Sequence, residues 1–203
     1  PQIQTLYGIR DAGAGVTSSL GDRDDLLQQE ITFETVAEAL GSSRIVREVS
    51  DNAYTSADEA GWYLDLAVGG SAEGERVISR ATFPSSSTRK RVRFSTLRPD
   101  PDPCSGGREG FIFDIDLSDG SQFDQSVFDI NSDGQFNVDD LVNGKLISAI
   151  SGGFGEELTT IRNQAGSGDF FYDGGGNRIG DIGSPEGLAT GDPVGRQSWQ
   201  QLR

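Results

Sequence analysis

A run of oxygen-bearing side chains near the middle of the chain has the spacing of a twelve-residue calcium-binding loop. Ca²⁺ is a hard cation that takes six to eight oxygen ligands, and such a loop supplies them from its first, third, fifth, seventh, ninth and twelfth positions. With Asp129 in first place, each of these positions carries an oxygen donor. The predicted ligands are Asp129, Asn131, Asp133, the backbone carbonyl of Gln135, Asn137 directly or through water, and Asp140.

Two further positions of the loop bear on this prediction. Gly134 falls at the sixth position, where the chain turns sharply and needs a residue that adopts a positive φ without a steric penalty. Asp140 replaces the usual Glu at the twelfth position, so a short helix beginning within Val138 to Val142 would have to carry the shorter carboxylate inward. The pattern is that of an EF-hand or dockerin-like loop. The alternative is a hairpin rich in Asn, Asp and Gly that binds no metal. A turn alone, however, does not require a carboxylate at the twelfth position.

No second copy of the loop is visible in the sequence. The nearest candidate, Asp114 to Gly120, lacks a downstream acid at the correct distance. It follows apolar residues that alternate with a period of two, which predicts a half-buried strand with Asp114 and Asp116 on its solvent face. A single calcium loop is therefore expected to act as a structural clip or a conformational switch inside a larger β-fold.

Composition excludes several classes of function. The net charge is −15, from 17 Lys and Arg against 32 Asp and Glu, which argues against nucleic acid and anionic membranes as partners. The chain has no His, so it lacks Ser-His and Cys-His machinery, and no catalytic residue is predicted. Cys104 is the only cysteine, so no disulfide forms within the chain. No run of about 18 apolar residues is present to span a membrane.

The 28 glycines and the short apolar runs predict an all-β region of short antiparallel strands joined by tight turns. Glu34 to Leu40 is compatible with a short helix instead. The basic cluster Arg89, Lys90, Arg91 and Arg93 alternates with Val92 and Phe94, which predicts a strand with one solvated face. The predicted strands are Ile3–Ile9, Leu27–Phe33, Arg44–Val49, Trp62–Val68, Arg76–Thr82, Arg91–Thr96, Phe111–Leu117, Leu146–Ile150, Leu158–Arg162 and Asp169–Tyr172.

Several phrases in the sequence, taken in order, resemble one family. They are Leu6–Asp11, Gly61–Leu66, Asp100–Gly107, Phe128–Gly134 and Gly195–Trp199. Together they resemble the C-terminal end of the PilC/PilY family, the type IV pilus tip-associated adhesins. The first three phrases lie outside the calcium loop, so the resemblance does not depend on it.

The resemblance implies that residues 1–203 are a C-terminal segment of a modified β-propeller, with the N-terminal region of the parent protein outside this chain. It implies an extracellular protein at the pilus tip, associated with the outer membrane. Minor pilins and a host-cell or abiotic surface are the implied partners. Calcium in the loop at residues 129–140 is implied to control pilus extension against retraction, and with it adhesion and twitching motility.

Two other classes of protein remain as alternatives. A secreted propeller enzyme, such as a quinoprotein dehydrogenase, would use the same calcium to hold a cofactor, but the chain lacks His and an obvious cofactor pocket. A dockerin-type assembly module would contain a second loop copy.

Overall fold

The computed structural model describes residues 2–10, 22–56, 59–83, 91–99, 108–152, 159–162, 168–172 and 178–183 of the 203-residue chain. In these ranges the chain forms twelve strands and two single-turn 3-10 helices, Arg23–Asp25 and Val138–Asp140. The strands are β1 Thr5–Ile9, β2 Leu27–Ala39, β3 Ser42–Val49, β4 Gly61–Val68, β5 Arg76–Val77, β6 Arg91–Pro99, β7 Arg108–Glu109, β8 Phe111–Asp116, β9 Ala149–Ser151, β10 Thr159–Arg162, β11 Gly168–Tyr172 and β12 Arg178–Gly183.

Nine of these strands form one sheet in the order β1-β4-β2-β3-β9-β8-β6-β5, with β7 paired to β6. The other three form a sheet in the order β10-β11-β12. Neighbouring strands are antiparallel, as predicted, except that β2 and β4 run parallel. Strands β8 and β9 are sheet neighbours although residues 117–148 separate them in the sequence. These residues, here called the covering segment, contain the predicted calcium loop.

Both faces of the large sheet are packed. On β8, Phe111 and Phe113 belong to a cluster that also contains Trp62, whereas Ile112 between them belongs to a second cluster. Because successive side chains of a strand point to opposite faces, the two clusters lie on opposite sides of the sheet. The Trp62 cluster consists of Leu27, Ile31, Val49, Trp62, Leu64, Leu66, Val92, Phe94, Phe111, Phe113, Ile115 and Ala149.

The second cluster joins the covering segment to the sheet. Five of its buried members come from the covering segment and four from strands β2, β3, β8 and β9. This Phe128 cluster consists of Ala39, Val46, Ile112, Phe123, Val127, Phe128, Ile130, Ile147 and Ile150. Phe128 and Ile130 flank Asp129 in sequence, so the first residue of the predicted calcium loop is held between two core side chains.

The region Glu34 to Leu40 is a strand and not a helix. Strand β2 continues through Ala39 and pairs with β3 in regular register from Glu34 opposite Arg47 to Ala39 opposite Ser42. Leu40 then turns the chain with φ +53°. The cross-strand hydrogen bonds of a tight hairpin override the weak local preference for a helix at these residues.

The predicted solvated faces of β6 and β8 are wrong. Arg91, Arg93 and Asp114 are 4%, 0% and 0% exposed, and both arginines bind the Asp114 carboxylate. The covering segment lies over this face, and its Phe123 ring is 5.5 Å from the Arg91 guanidinium carbon. Asp116, at the end of β8, is only partly buried.

The remaining differences concern short elements. The strand predicted at Arg76–Thr82 reduces to Arg76–Val77 and a single bridge from Thr82 to Arg93. Strands β7 and β12, in the Gly- and Pro-rich stretches, were not predicted. Arg89, Lys90 and Cys104 lie outside the described residues. Within the described ranges, no helix is long and apolar enough to cross a membrane.

Candidate functional site

The two ends of the predicted calcium loop are buried. Asp129 and Asp140 are each 1% exposed. The Asp129 carboxylate accepts the backbone N–H of Asp133 at 3.0 Å and that of Gly134 at 2.8 Å. These two hydrogen bonds fold residues 130–134 back over the Asp129 carboxylate.

Asp140 closes the loop from the other end. One of its carboxylate oxygens accepts the N–H of Ile130 at 2.8 Å, and the other accepts the N–H of Asn137 at 2.9 Å. Burial raises the pKa of Asp140, and the negative charge of Asp129 contributes to the rise. Ionisation of Asp140 therefore carries a desolvation cost, which a nearby cation would offset.

The middle of the loop is exposed. Asn131, Asp133 and Gln135 face solvent. The Asn131 side-chain oxygen accepts the N–H of Asp133 at 2.9 Å, and the Asp133 carboxylate accepts the N–H of Gln135 at 2.7 Å. These consecutive turns explain why short polar residues occupy alternate positions, since their side chains reach the backbone two residues ahead.

Gly134 and Asn137 shape the loop as their positions predict. Gly134 has φ +81°, in the left-handed region that glycine adopts without penalty, and no atom lies within 4 Å of where its Cβ would be. Asn137 caps the single-turn helix Val138–Asp140, accepting the N–H of Asp139 at 2.7 Å. This turn lies inside the predicted range Val138 to Val142 and brings Asp140 into the interior.

Two hydrogen bonds fasten the loop to its surroundings. The N–H of Leu40, at the tip of the β2–β3 hairpin, donates to the carbonyl of Ile130 at 2.9 Å. The Ser126 hydroxyl donates to the carbonyl of Asn137 at 2.9 Å. No sequence signal pointed to Leu40 or Ser126, because both contacts depend on backbone atoms that the fold brings together.

The residues present fit a calcium ion in donor chemistry and in the turn at Gly134. All predicted ligands offer oxygen, which hard divalent cations prefer, and the glycine turn is in place. In the described part of the chain, no three His, Cys, Asp or Glu side chains are grouped as a metal site requires. Asp133 instead binds the backbone of its own loop, so it would have to turn toward Asp129 and Asp140 to act as a ligand.

Comparison with known proteins agrees with the earlier resemblance. The chain is 30% identical over 144 residues to "Type IV pilus biogenesis factor PilY1" of Pseudomonas aeruginosa strain PAO1, covering 66% of this chain and 12% of that protein. The protein of the same name from strain UCBPP-PA14 is 27% identical over 165 residues, covering 73% and 14%. A crystal structure of the Pseudomonas aeruginosa PilY1 C-terminal domain superposes with a TM-score of 0.69 at 22% identity. The chain belongs to the PilY1 family.

The structural match covers 90% of this chain and 37% of the solved chain. The predicted fold class, an all-β region of β-propeller-like architecture, is confirmed. The chain spans only about an eighth of the length of the curated PilY1 proteins, since 12% of their residues are covered. No protein-family model matches the chain.

Sequence reasoning missed the buried ionic groups of this PilY1-family region. Arg91 and Arg93 share Asp114 on the face with the Phe128 cluster. On the other face, Arg47 is 1% exposed, binds Glu75 at 2.7 Å and lies 3.4 Å above the Phe111 ring. The period-two alternation of β6 and β8 was visible, but it does not distinguish a solvated polar face from one that another segment covers.

Proposed function

We propose that this chain is the calcium-binding C-terminal portion of a type IV pilus biogenesis factor. The observation that carries the proposal is the 30% identity to proteins named for that role. The proposed role is non-enzymatic. The described residues use their buried charged groups in internal ion pairs and hydrogen bonds, as Arg47, Arg93 and Asp114 illustrate.

The calcium part of the proposal assigns six ligands to the loop at residues 129–140. They are Asp129, Asn131, Asp133, Gln135, Asn137 and Asp140. A bound calcium ion supplies positive charge that offsets the mutual repulsion of three carboxylates. The chain itself supplies the buried ends of the loop at Asp129 and Asp140, and the glycine turn at Gly134 that lets the exposed middle fold inward.

The contacts of the loop suggest how its state would reach the rest of the molecule. Asp129 lies between Phe128 and Ile130, both members of the Phe128 cluster, and Ile130 accepts the N–H of Leu40. Closing or opening the loop would therefore bias the packing of the covering segment and the tip of the β2–β3 hairpin. We propose that this coupling sets the balance between pilus extension and retraction, and so influences surface adhesion and twitching motility.

The proposed setting is the cell surface, at the pilus tip and associated with the outer membrane. Minor pilins are the proposed protein partners, and a host-cell or abiotic surface is the proposed target of adhesion. The net charge of −15 supports protein partners over nucleic acid, because phosphates would repel the chain.

Calorimetric titration with Ca²⁺ tests the metal site. We expect one-site binding by the native chain and none by the Asp129→Ala, Asp133→Ala double variant. At a hundredfold excess of Ca²⁺ over Kd, binding would stabilise the folded chain by about 2.7 kcal/mol, seen as a higher Tm. Glu38→Ala, an exposed acid on β2, is the control and should bind as the native chain does. Failure of the native chain to bind would remove calcium from the proposal.

The biogenesis role needs a separate test in cells. The double variant, introduced into the chromosomal gene, is expected to alter surface pilus number and twitching, whereas deletion of the gene is expected to abolish surface pili. Normal piliation after deletion would overturn the pilus role, whatever the calorimetry shows. Pilus loss on deletion with no effect of the double variant would leave the biogenesis role in place and reject calcium control.

A further inference from the structure

The outer half of β2 has a neighbouring strand on only one of its edges. Strand β4 pairs with β2 from Leu27 to Ile31 and ends at Val68, whereas β2 continues to Ala39. Beyond Ile31, β3 is the one strand of the described residues that pairs with β2. Residues 32–39 therefore have one paired edge and one open edge.

The strand register identifies the backbone groups on this open edge. The β2–β3 hairpin turns through Leu40 and Gly41, whose φ angles are +53° and +74°. The residues that flank such a two-residue loop, here Ala39 and Ser42, exchange both of their hydrogen bonds. Because the pattern alternates along an antiparallel pair, the N–H and C=O groups of residues 34, 36 and 38 point away from β3.

Two observed hydrogen bonds agree with this register. Ile45, which lies opposite Val36, donates its N–H to Ser151 Oγ at 2.9 Å, on the side of β3 away from β2. The N–H of Leu40 donates to the carbonyl of Ile130, in the covering segment. No described residue forms a backbone hydrogen bond with the N–H groups of residues 34, 36 and 38. The open edge thus begins beside the loop at residues 129–140.

The side chains of the same three residues alternate acidic, apolar and acidic. Val36 is 67% exposed, which is high for an apolar residue within a strand. Glu38 is exposed and forms no ion pair or hydrogen bond with another described residue. The Glu34 side chain is 26% exposed and binds Arg47 at 2.7 Å. An added strand would therefore meet one apolar side chain between two carboxylates.

We propose that this open edge, here called the β2 edge, binds an extended segment of a partner protein in which basic side chains flank an apolar one. Backbone hydrogen bonds to residues 34, 36 and 38 would hold the segment, and its side chains would provide specificity. Charge complementarity selects the occupant, because opposite charges on directly paired residues stabilise a sheet. The net charge of −15 also attracts a basic segment.

A second copy of the chain is a poor occupant of the β2 edge. Antiparallel pairing of two copies about Val36 would place Glu34 of one copy opposite Glu38 of the other. Like charges directly opposite each other destabilise a sheet. The same two acids that favour a basic segment therefore oppose self-association.

Amide hydrogen exchange of the purified chain, resolved by residue with NMR, tests whether the edge is open. We expect the amides of Glu34, Val36 and Glu38 to exchange at least about tenfold faster than those of Thr35 and Ala37, which bond to β3. Equal protection of the two sets would show that the edge is already covered, and would overturn the proposal. Protection that increases with protein concentration would assign the edge to a second copy, with the same consequence.

A short peptide tests the chemistry of the occupant. The probe alternates threonine with lysine, valine and lysine, and its matched control carries glutamate in place of both lysines. We expect the lysine peptide to shift the amide resonances of residues 34–38 and to slow their exchange. The glutamate peptide should bind at least about fivefold more weakly, since two cross-strand attractions become repulsions.

Two results of the titration would overturn the proposal. One is the absence of shifts at residues 34–38 with millimolar lysine peptide. Charged residues on an edge can serve only to prevent strand addition, and that role predicts this result. The other is equal binding of the two peptides, which would mean that the acids do not select the occupant.

Val36→Pro blocks the β2 edge without removing a bond to β3. The N–H that proline lacks points outward, and edge strands tolerate proline at such positions. We expect this variant to lose the lysine peptide while its Tm stays within about 3 °C of the native value. Val36→Thr keeps the N–H and is the matched control, which should retain binding. Undiminished binding by Val36→Pro would contradict strand addition at this edge.

Glu38→Lys gives an independent measurement that leaves the backbone intact, should Val36→Pro fail to fold. It reverses one charge at an exposed position. We expect the preference for the lysine peptide over the glutamate peptide to fall at least about threefold. An unchanged preference would overturn the proposal. These measurements use purified protein without calcium, so they are independent of the pilus role and of the metal site.

Discussion

Arg93 on β6 and Asp114 on β8 lie directly opposite each other in the sheet, and neither side chain is exposed to solvent. The Nη2 atom of Arg93 is 2.8 Å from a carboxylate oxygen of Asp114. Arg91 binds the same carboxylate through two hydrogen bonds of 2.9 and 2.6 Å. Asp114 therefore binds two buried guanidinium groups beneath the covering segment.

Replacing Asp114 should be among the most damaging single changes in this region. Asp114→Asn removes the negative charge from two buried arginines, and breaking a buried ion pair from one side typically costs about 3–5 kcal/mol of unfolding free energy. Urea denaturation measures this quantity. Glu38→Gln, at an exposed position of β2, is the charge-matched control. A loss below about 1 kcal/mol for Asp114→Asn would show that the arginines are satisfied without it.

Gly120 is predicted to be required for stability, because any side chain at this position would clash with the Trp62 ring. A Cβ at Gly120 would lie 2.4 Å from the Trp62 ring. Gly70 has nearly the same backbone, φ +76° against +77°, but nothing lies within 4 Å of its Cβ position. Gly120→Ala should therefore destabilise the chain by about 1–3 kcal/mol more than Gly70→Ala does, since only the former overpacks the core.

Thermal and urea unfolding of the two glycine variants give the comparison directly. Because the backbone cost of a positive φ is common to both, the difference isolates the clash with Trp62. Equal losses in the two variants would mean that Trp62 shifts at little cost. The hydrogen bond from its indole N–H to the carbonyl of Leu117, at 3.0 Å, argues against such a shift.

Gly134 is predicted to affect stability only through its backbone conformation and not through side-chain packing. Gly134→Ala places a Cβ in open space at φ +81°, so the expected cost is the left-handed backbone penalty of about 1–2 kcal/mol. Gly134→Asn should cost less, because Asn adopts this region more readily. The measurement is unfolding free energy without calcium, followed by calcium titration of both variants. An Asn variant less stable than the Ala variant would contradict the backbone explanation.

Tyr54 is predicted to make stability fall in alkaline solution. Its hydroxyl donates to the carbonyl of Ser118 at 2.9 Å, and burial raises its pKa above the ordinary value of about 10. Below that pH the phenol is neutral in both the folded and the unfolded chain. Above it, the unfolded chain ionises first, so folding stability declines as pH rises through the folded-state pKa.

Comparison with Tyr54→Phe isolates this contribution. The variant lacks the ionisable group, so its urea midpoint should fall less steeply than that of the native chain between about pH 9 and about pH 11. At neutral pH the variant should be less stable by about 1 kcal/mol, the net value of one hydrogen bond. Parallel pH profiles for the two proteins would show that Tyr54 ionises equally easily in both states.

Much of the strand pattern could be predicted from local signals. The alternation of Phe111, Phe113 and Ile115 and the apolar run beginning at Trp62 located β8 and β4 within a residue or two. The turn at Gly134 was also predicted from position alone, and its positive φ agrees. Such features depend on neighbours within a few residues, so the sequence around them contains the needed information.

Burial of polar residues could not be predicted in the same way. Arg91, Arg93 and Asp114 were expected to face solvent because alternation with apolar residues is typical of a half-buried strand. The covering segment, which begins after β8 and returns at β9, packs Phe123 and Phe128 over that face. Whether a polar face is solvated or buried depends on such distant segments. The sequence of the strand itself does not reveal them.

The sequence by itself therefore determined the all-β class, the family and the candidate ligands of the loop at residues 129–140, because each follows from residue types at short spacing. Only the tertiary structure decided that Glu34 to Leu40 continues a strand, that Asp114 is buried between two arginines, and that Ile130 is tied to Leu40. These features arise from hydrogen bonds and packing between segments far apart in the chain. Their energies outweigh the small local preferences that a sequence pattern reports.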